Sequence, residues 1–206
     1  MSLRVAIVGG SGSGKTTLAE ALHRTLGAQR AVLLSHDAYY RDLPADHLPS
    51  AHTIDFDHPE ALESTLLAEH LASLGRGEPI HVPTYDFSRH RRTPPVPVAP
   101  QGVVLVEGIL LLAAPELAPH LDLRVFVDAP THVRLARRLH RDVEERGRDE
   151  AEVLGRWARF VEPGFQRFVA PHRAHVDLLI DGEAPLHEAV TRVLERLPPS
   201  LAADRP

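Results

Sequence analysis

The sequence predicts an α/β fold in which a parallel sheet of five strands is flanked by helices. Short apolar runs of strand length alternate along the chain with segments whose leucine and valine residues recur at helical spacing. The short runs are almost continuously apolar, as is typical of parallel strands that are buried on both faces. Ligands in such folds bind at the carboxyl ends of the strands, and we expect the functional site there.

The predicted elements follow one another in a regular order. The five apolar runs comprise residues 4–8, 31–35, 102–106, 122–127 and 175–180. Helical spacing of apolar residues occupies residues 18–26, 62–74, 133–139 and 186–197. The proline-rich interval 93–100 predicts an extended connector, and the end of the chain, residues 199–206, is expected to fray.

The composition is that of an ordinary globular chain, with 206 residues of which 43% are hydrophobic and 25% charged. Cysteine is absent, which excludes disulfides and thiolate metal sites and fits a cytoplasmic protein. A formal net charge of −5 argues against a nucleic-acid partner, and no apolar segment is long and uncharged enough to cross a membrane. The fourteen histidines follow no metal-ligand spacing that would predict a site.

The first predicted strand is followed by GGSGSGKTT, which matches the pattern G-x-x-x-x-G-K-[ST] between a strand and a helix. In this motif backbone N–H groups cradle nucleotide phosphates, the lysine reaches the β and γ oxygens, and the hydroxyl after it binds Mg²⁺. The pattern therefore predicts a P-loop NTPase fold. The residues expected to bind the nucleotide are Gly9, Gly10, Ser11, Gly12, Ser13, Gly14, Lys15, Thr16 and Thr17.

Lys15 supports this interpretation independently, because it is the only lysine among the 23 lysine and arginine residues of the chain. A planar guanidinium cannot replace a compact ammonium over a phosphate cradle. The absence of a second lysine also excludes the Asn-Lys-x-Asp element with which GTPase switches recognise guanine.

Two carboxylates after apolar runs predict the chemistry of the site. Motor-type ATPases usually end the next apolar strand in Asp, often followed by a catalytic Glu, whereas VVLVEGI places Glu107 before a glycine. Glu107 is therefore a candidate Mg²⁺ ligand with Thr16, although a carboxylate that merely caps the next element is the alternative. Asp37 stands two residues beyond the run 31–35, where phosphoryl transfer to an alcohol needs a general base.

Arginines supply the positive charge that such a transfer requires. Arg134, Arg138 and Arg141 share one helical stripe, and Arg146-Gly147-Arg148 follows in a charged loop. A solvated helix face is the commoner explanation, but beside a phosphate loop the run predicts a lid over about residues 137–160 that excludes water. We therefore expect a single domain over residues 1–198 that includes this lid.

The motifs in their order resemble those of the uridine-cytidine kinases, a family of P-loop nucleoside kinases. The resemblance covers nearly the whole chain. The matching segments are GGSGSGKTT, DAYYRDL, FDHPEAL, PTYDFSRHRR, VVLVEGILLL, FVDAP, RDVEERGR and FVEPGFQRFVAPHRAHVDLLI.

The resemblance implies transfer of the γ-phosphate of ATP, or of GTP, to the 5′-hydroxyl of uridine or cytidine with Mg²⁺ as cofactor. It also implies a homo-oligomer, commonly a tetramer. Matched by motif, the implied catalytic residues are Asp37, Lys15, Arg141 and Arg146. The implied residues for substrate binding are Tyr40, Asp57, Tyr85, Phe87, His90, Arg138 and Arg148, with Asp57 on the ribose hydroxyls and His90 on the pyrimidine edge.

The sequence departs from the family at three places. Arg156 replaces a glutamine near the base, Asp55 stands where relatives often have asparagine, and DGEAP follows the last strand instead of a segment like PRG. The alternatives to a nucleoside kinase are another small-molecule kinase, such as a phosphoribulokinase or pantothenate kinase, and a non-catalytic nucleotide-binding regulator. The FDHP and YDFSRH segments argue against the first, and Asp37, Glu107 and the lid arginines argue against the second.

Overall fold

A central parallel sheet of five strands organises the chain in the computed structural model, which describes residues 2–44 and 54–202. The sheet has the order β2-β5-β1-β6-β7, in which every pair of neighbours is parallel, and β3 and β4 form a separate antiparallel pair. The strands are, in chain order, β1 (Leu3–Val8), β2 (Ala31–Ser35), β3 (Ile80–Asp86), β4 (Arg91–Val98), β5 (Val103–Gly108), β6 (Leu123–Asp128) and β7 (Leu178–Asp181).

Helices connect the strands and cover both faces of the sheet. The α-helices are α1 (Lys15–Leu26), α2 (Ser64–Gly75), α3 (Thr131–His140), α4 (Glu150–Arg156), α5 (Glu162–Gly164), α6 (Leu186–Leu194) and α7 (Pro199–Ala202). Short 3₁₀ turns span His36–Tyr39, Pro59–Ala61, Leu111–Ala113, Pro115–His120 and Ala170–His175, and π-helical segments span Arg141–Glu145, Trp157–Val161 and Phe165–Val169. In the part of the chain that the structure describes, no helix is both long and apolar enough to cross a membrane.

The hydrophobic core lies on the two faces of the sheet. Alternate residues of β1 face opposite sides, so that Val5 and Ile7 pack against α1 and α6, while Ala6 and Val8 pack on the side of α2. Both sets are fully buried or nearly so. Because both faces need apolar side chains, the strands read as continuous apolar runs in the sequence.

The predicted five-stranded parallel sheet with flanking helices is confirmed. Strand boundaries agree with the predicted ones to within two residues except in β7, which begins at Leu178 instead of residue 175. The difference arises because Ala170–His175 forms a 3₁₀ turn that leads into the strand.

The proline-rich interval is extended, as predicted, but it is a paired strand and not a free connector. Residues 93–98 belong to β4, which pairs with β3, and the hydroxyl groups of Thr84 and Thr93 are hydrogen-bonded across the pair. Proline lacks an N–H donor and is therefore tolerated only in an edge strand or a bulge. In a two-stranded hairpin both strands are edge strands, so β4 can contain prolines. The resulting hairpin carries three of the predicted site residues.

The end of the chain also differs from the expectation. Instead of fraying from residue 199, the chain forms the short helix α7, and Leu201 packs against the core on the face of α1 and α6. The remaining residues of the expected tail, 203–206, lie outside the described residues.

Arg134 is not part of the lid, although its helical spacing grouped it with Arg138 and Arg141 in the sequence. Its side chain is 1% exposed, and Nη2 donates a hydrogen bond to the Glu162 carboxylate at 2.8 Å. The guanidinium carbon lies 3.8 Å from the centroid of the Phe165 ring and 5.3 Å from that of Trp157. Arg134 therefore fastens α3 to the helical segment 157–169 instead of facing a ligand.

We expect Arg134→Ala to lower the free energy of unfolding by about 3 kcal/mol, because it leaves Glu162 without its buried partner and opens a cavity between two rings. Urea denaturation measures the change. Arg24→Ala is the control, since Arg24 is 66% exposed and lies 3.9 Å from Glu20 on the surface of α1. The control should lose less than about 0.5 kcal/mol. Equal, small losses in both variants would contradict the structural role of Arg134.

Candidate active site

A cavity of about 920 Å³ opens at the carboxyl ends of β1, β2 and β5. Residues from the loop after β1, from the segments after β2 and β5, from the β3–β4 hairpin and from the predicted lid line it. Of all the residues that the sequence predicted for the site, every one lines this cavity except Gly9, Gly10 and Ser13.

The loop between β1 and α1 forms the end of the cavity nearest to Lys15. Gly12 has a φ angle of 79°, and a β-carbon there would overlap the main-chain oxygen of Arg134, so that only glycine fits. Lys15 is the first residue of α1 and is 8% exposed. A glycine-rich loop that ends at a helix N-terminus with a buried lysine fits a polyphosphate.

The three predicted residues that do not line the cavity support the loop from behind. Ser13 is fully buried, and its backbone N–H donates to the carbonyl of Gly10 at 3.1 Å. A β-carbon on Gly10 would lie 2.8 Å from both the Phe165 ring and the Arg134 guanidinium. These residues allow the loop to approach the helical segment 157–169 closely.

Glu107 connects the loop to the neighbouring strands. Its Oε2 accepts a hydrogen bond from the Thr16 hydroxyl at 3.0 Å, and its Oε1 accepts one from the Ser35 hydroxyl at 2.6 Å. The side chain is 5% exposed. Carboxylate and hydroxyl oxygens are the ligands that Mg²⁺ prefers, so Thr16 and Glu107 fit this ion.

The rest of a Mg²⁺ coordination sphere would come from outside the protein. Within residues 2–44 and 54–202, no group of three or more histidine, aspartate or glutamate side chains could hold a metal by itself. Mg²⁺ usually keeps several waters and binds through one or two protein oxygens together with substrate phosphates.

Asp37 follows β2 in a 3₁₀ turn and faces the same cavity. Burial, and then the negative charge of Glu107, raise the pKa of Asp37 to about 6, while the charges of Lys15 and Arg141 oppose the shift. A carboxylate with such a pKa is mostly ionised at neutral pH and is a better proton acceptor than an ordinary aspartate.

A cluster of aromatic rings from the hairpin and from Tyr40 and Phe56 forms one wall of the cavity. The Tyr40 ring lies 5.8 Å from that of Phe56, 5.6 Å from Tyr85 and 6.1 Å from Phe87, measured between centroids. The rings of Phe56 and His90 stack at 5.1 Å with an angle of 12°. Phe87 is 53% exposed, although large aromatic side chains are usually buried.

His90 is held at the tip of the hairpin in an unusual backbone conformation, with a φ angle of 52°. Burial, followed by the charges of Arg156 and Arg148, lowers the pKa of His90, so that the imidazole is neutral. Its buried Nδ1 has no hydrogen-bond partner within the described residues. A neutral imidazole presents one donor and one acceptor to a ligand.

Asp57 lines the cavity beside the aromatic cluster, and burial raises its pKa. The Asp55 carboxylate accepts a hydrogen bond from the Asp57 backbone N–H at 2.9 Å. An asparagine side-chain oxygen can make the same bond. Asp55 therefore shapes the turn that presents Asp57.

The four lid arginines that the sequence predicted gather around one residue that it did not predict. Asp142 has no exposed surface, and its carboxylate lies within 3.5 Å of Arg138, Arg141, Arg146 and Arg148. Sequence reasoning missed it because it treated RDVEERGR only as a source of positive charge. The one signal was an acidic residue directly beside an arginine in that motif.

The cavity wall also contains residues that were not among the predicted site residues, including Phe56, Arg137 and Arg156. Phe56 completes the aromatic cluster. Arg137 donates to the Gly182 carbonyl at 2.9 Å, which ties α3 to the segment after β7. The Arg156 guanidinium carbon lies 5.6 Å from the centroid of the Phe56 ring, and Nη2 donates to the Ile54 carbonyl at 3.2 Å.

The fold and the glycine-rich loop with its lysine, hydroxyl and strand-end carboxylate define a P-loop kinase. The chain matches the model of the Phosphoribulokinase / Uridine kinase family over residues 5–184, and it belongs to that family.

Curated relatives cover the chain almost completely. A uridine kinase from Chloroflexus aurantiacus is 36% identical over 200 residues, which are 97% of this chain and 96% of that protein. Uridine kinase-like protein 3 of Arabidopsis thaliana is 34% identical over 195 residues, which are 94% of this chain but 42% of that protein. Among solved structures, a protein assigned as a fructose transport system kinase from Silicibacter sp. TM1040 superposes with a TM-score of 0.71 at 25% identity, covering 86% of this chain and 89% of that one.

We expect the Asp37 carboxyl group to titrate with a pKa of about 6 in the nucleotide-free protein. Carbon-detected NMR of side-chain carboxyl groups measures it. Glu107→Gln should lower this pKa because a negative charge is removed, and Lys15→Met should raise it because a positive charge is removed. Asp122 is the internal control, since its hydrogen bond with Arg4 lowers its pKa. A value for Asp37 near the ordinary 3.9 would be incompatible with this environment.

Proposed function

We propose that this protein transfers the γ-phosphoryl group of ATP to the 5′-hydroxyl of uridine and cytidine, forming UMP and CMP. The observation that carries the proposal is that one cavity is lined by the phosphate loop with Lys15, by Asp37 and by the aromatic cluster. The names of the Chloroflexus and Arabidopsis relatives, uridine kinase and uridine kinase-like protein 3, support the same acceptor.

In the proposed reaction Asp37 accepts the proton of the 5′-hydroxyl as that oxygen attacks the γ-phosphorus. Its raised pKa suits this role, because a base is most effective when its pKa lies near the working pH. Lys15, Arg141 and Arg146 balance the negative charge on the transferring group, and their partial burial strengthens this effect. Mg²⁺ bound at Thr16 and Glu107 would supply further charge neutralisation on the phosphate oxygens.

The nucleoside is proposed to bind between the hairpin and Asp57. Tyr85 and Phe87 offer aromatic faces to a planar base, and the neutral His90 offers a donor and an acceptor to its edge. Asp57 accepts hydrogen bonds from the ribose 2′- and 3′-hydroxyls, which selects ribonucleosides. Arg138 and Arg148 complete the acceptor side.

The aromatic cluster also favours a nucleoside over the other candidate acceptors. Ribulose 5-phosphate and pantothenate have no aromatic ring that could stack on the exposed Phe87 beside Tyr85 and Tyr40. A base with two π faces matches these rings. The cluster thus favours a nucleoside kinase over a sugar-phosphate or pantothenate kinase.

We expect monophosphate to form from uridine and cytidine when each is incubated with ATP and Mg²⁺, and not from deoxycytidine, adenosine, ribulose 5-phosphate or pantothenate. Asp37→Asn should lower kcat by about 100-fold or more, because the general base is removed. A coupled assay of ADP release and chromatography of the product measure both results.

Binding of a fluorescent ATP analogue is the control for that experiment, since Asn at position 37 should leave the phosphate loop able to bind nucleotide. Phosphorylation of ribulose 5-phosphate or pantothenate, without phosphorylation of uridine, would contradict the proposed acceptor. Binding of ATP without turnover of any acceptor would identify a non-catalytic regulator.

We also expect uridine to be preferred over cytidine, because of Arg156. A guanidinium only donates hydrogen bonds and therefore matches the 4-oxo group of uracil better than the 4-amino group of cytosine. Arg156→Gln introduces an acceptor and should raise the kcat/KM of cytidine relative to uridine by about tenfold. Arg159→Gln is the matched control, because Arg159 contacts the Phe160 ring and does not line the cavity. An unchanged ratio in Arg156→Gln would exclude Arg156 as a determinant of base choice.

A further inference from the structure

Asp142 is the most enclosed charged group beside the cavity. Its Oδ1 lies 2.9 Å from Arg141 and 3.3 Å from Arg146, and its Oδ2 lies 3.2 Å from Arg148 and 3.5 Å from Arg138. Burial opposes ionisation, but the charges of Arg141 and Arg138 outweigh it and hold the pKa of Asp142 below its usual value. The group is therefore a buried carboxylate shared among four guanidinium groups.

Asp142 itself does not lie where it could contact a ligand in the cavity. All four arginines line the cavity, whereas Asp142 does not and lies behind them. It cannot touch a substrate without displacing the arginines. Any effect of Asp142 on the reaction must therefore pass through the guanidinium groups that it holds.

The backbone fold at this place brings the arginines to the carboxylate. After α3 the chain continues as the π-helical segment 141–145 and then turns back, with Gly147 in the left-handed region at a φ angle of 64°. The Arg148 backbone N–H donates to the Asp142 carbonyl at 2.9 Å. The main chain of Asp142 thus fixes the turn, and its side chain fixes the guanidinium groups on both sides of it.

Without this carboxylate the arginines would repel one another. The side chains of Arg141, Arg146 and Arg148 are 32%, 49% and 34% exposed, so that each has room to turn away into water. Four like charges at such short range favour that movement. A bound polyphosphate would hold them together, but only after it has arrived.

We propose that Asp142 is a positioning residue that holds Arg138, Arg141, Arg146 and Arg148 facing the cavity before the polyphosphate binds. The carboxylate neutralises one of four positive charges, and the three that remain attract the anion. Preorganisation of this kind strengthens binding because the arginines do not have to be ordered when the ligand arrives. The proposal rests on the proposed function only in taking a polyphosphate as the ligand.

Inorganic triphosphate, measured by titration calorimetry, tests the proposal without any acceptor. Asp142→Asn keeps the size of the side chain and removes its charge. Charge alone predicts tighter binding of the anion in this variant, because the site becomes more positive. Positioning predicts the opposite, and we expect triphosphate affinity to fall by about tenfold. Unchanged or tighter binding would overturn the proposal.

A double-mutant comparison distinguishes positioning from a general loss of structure. Arg146→Ala should weaken triphosphate binding strongly in the wild-type background, and by less than about twofold when Asp142 is already Asn. An equal factor in both backgrounds would show that Asp142 does not act through Arg146. Asp149→Asn is the matched control, because Asp149 caps α4 through the Glu152 N–H and asparagine caps a helix equally well.

A further variant covers the case in which Asp142→Asn does not fold, as judged by circular dichroism. Asp142→Glu keeps the charge but moves the carboxylate by one methylene, and it should weaken triphosphate binding by about threefold or more if position matters. Wild-type affinity in Asp142→Glu would overturn the proposal. Because the readout is anion binding, a failure to phosphorylate any nucleoside would count against the proposed function and leave this test intact.

Discussion

The carboxylate of Glu107 in β5 accepts hydrogen bonds from Thr16 and Ser35, and through them it joins β5 to α1 and to β2 at the edge where ligands bind. Thr16 belongs to the first turn of α1, directly after Lys15, so the same contact fixes the phosphate loop. Ser35 ends β2 two residues before Asp37. The distance between the proposed phosphate site and the proposed general base is therefore set by one buried carboxylate. Polar contacts between strand ends are strong here because little water reaches them.

Charged groups around the cavity shift the pKa values of their neighbours. Burial, and then the charge of Glu107, raise the pKa of Asp37, while Lys15 and Arg141 moderate that shift. On the other side, Arg156 and Arg148 help to keep His90 neutral. The raised pKa of Asp37 and the lowered pKa of His90 both follow from burial and from neighbours that the fold brings together. The protonation of these groups thus depends on their burial and on the surrounding charges, and not on either residue alone.

Local patterns in the sequence were sufficient to predict the five parallel strands, the phosphate loop, and Glu107 and Asp37 at strand ends. Each of these depends on spacing within a few residues or on a strand end, as with Asp37 after β2. The residues proposed for the acceptor came from the resemblance to a family. The hairpin was missed because β4 pairs only through contacts with β3, and its prolines resemble a connector. Arg134 and Asp142 were misread or missed because their burial depends on Glu162 and on arginines across a turn. Non-local contacts of this kind leave no periodic signal in a single sequence.

The hairpin of β3 and β4 stands apart from the five-stranded sheet and carries Tyr85, Phe87 and His90. Glu107 lies in the sheet itself, and the phosphate loop and Asp37 directly follow two of its strands. In the proposed function, recognition of the base and transfer of phosphate therefore depend on different parts of the chain. Evolution can alter the ribbon without disturbing the catalytic core, because the ribbon contributes few of the buried side chains. A kinase with this arrangement can acquire a new acceptor through changes in the hairpin, while its phosphate-transfer residues stay the same.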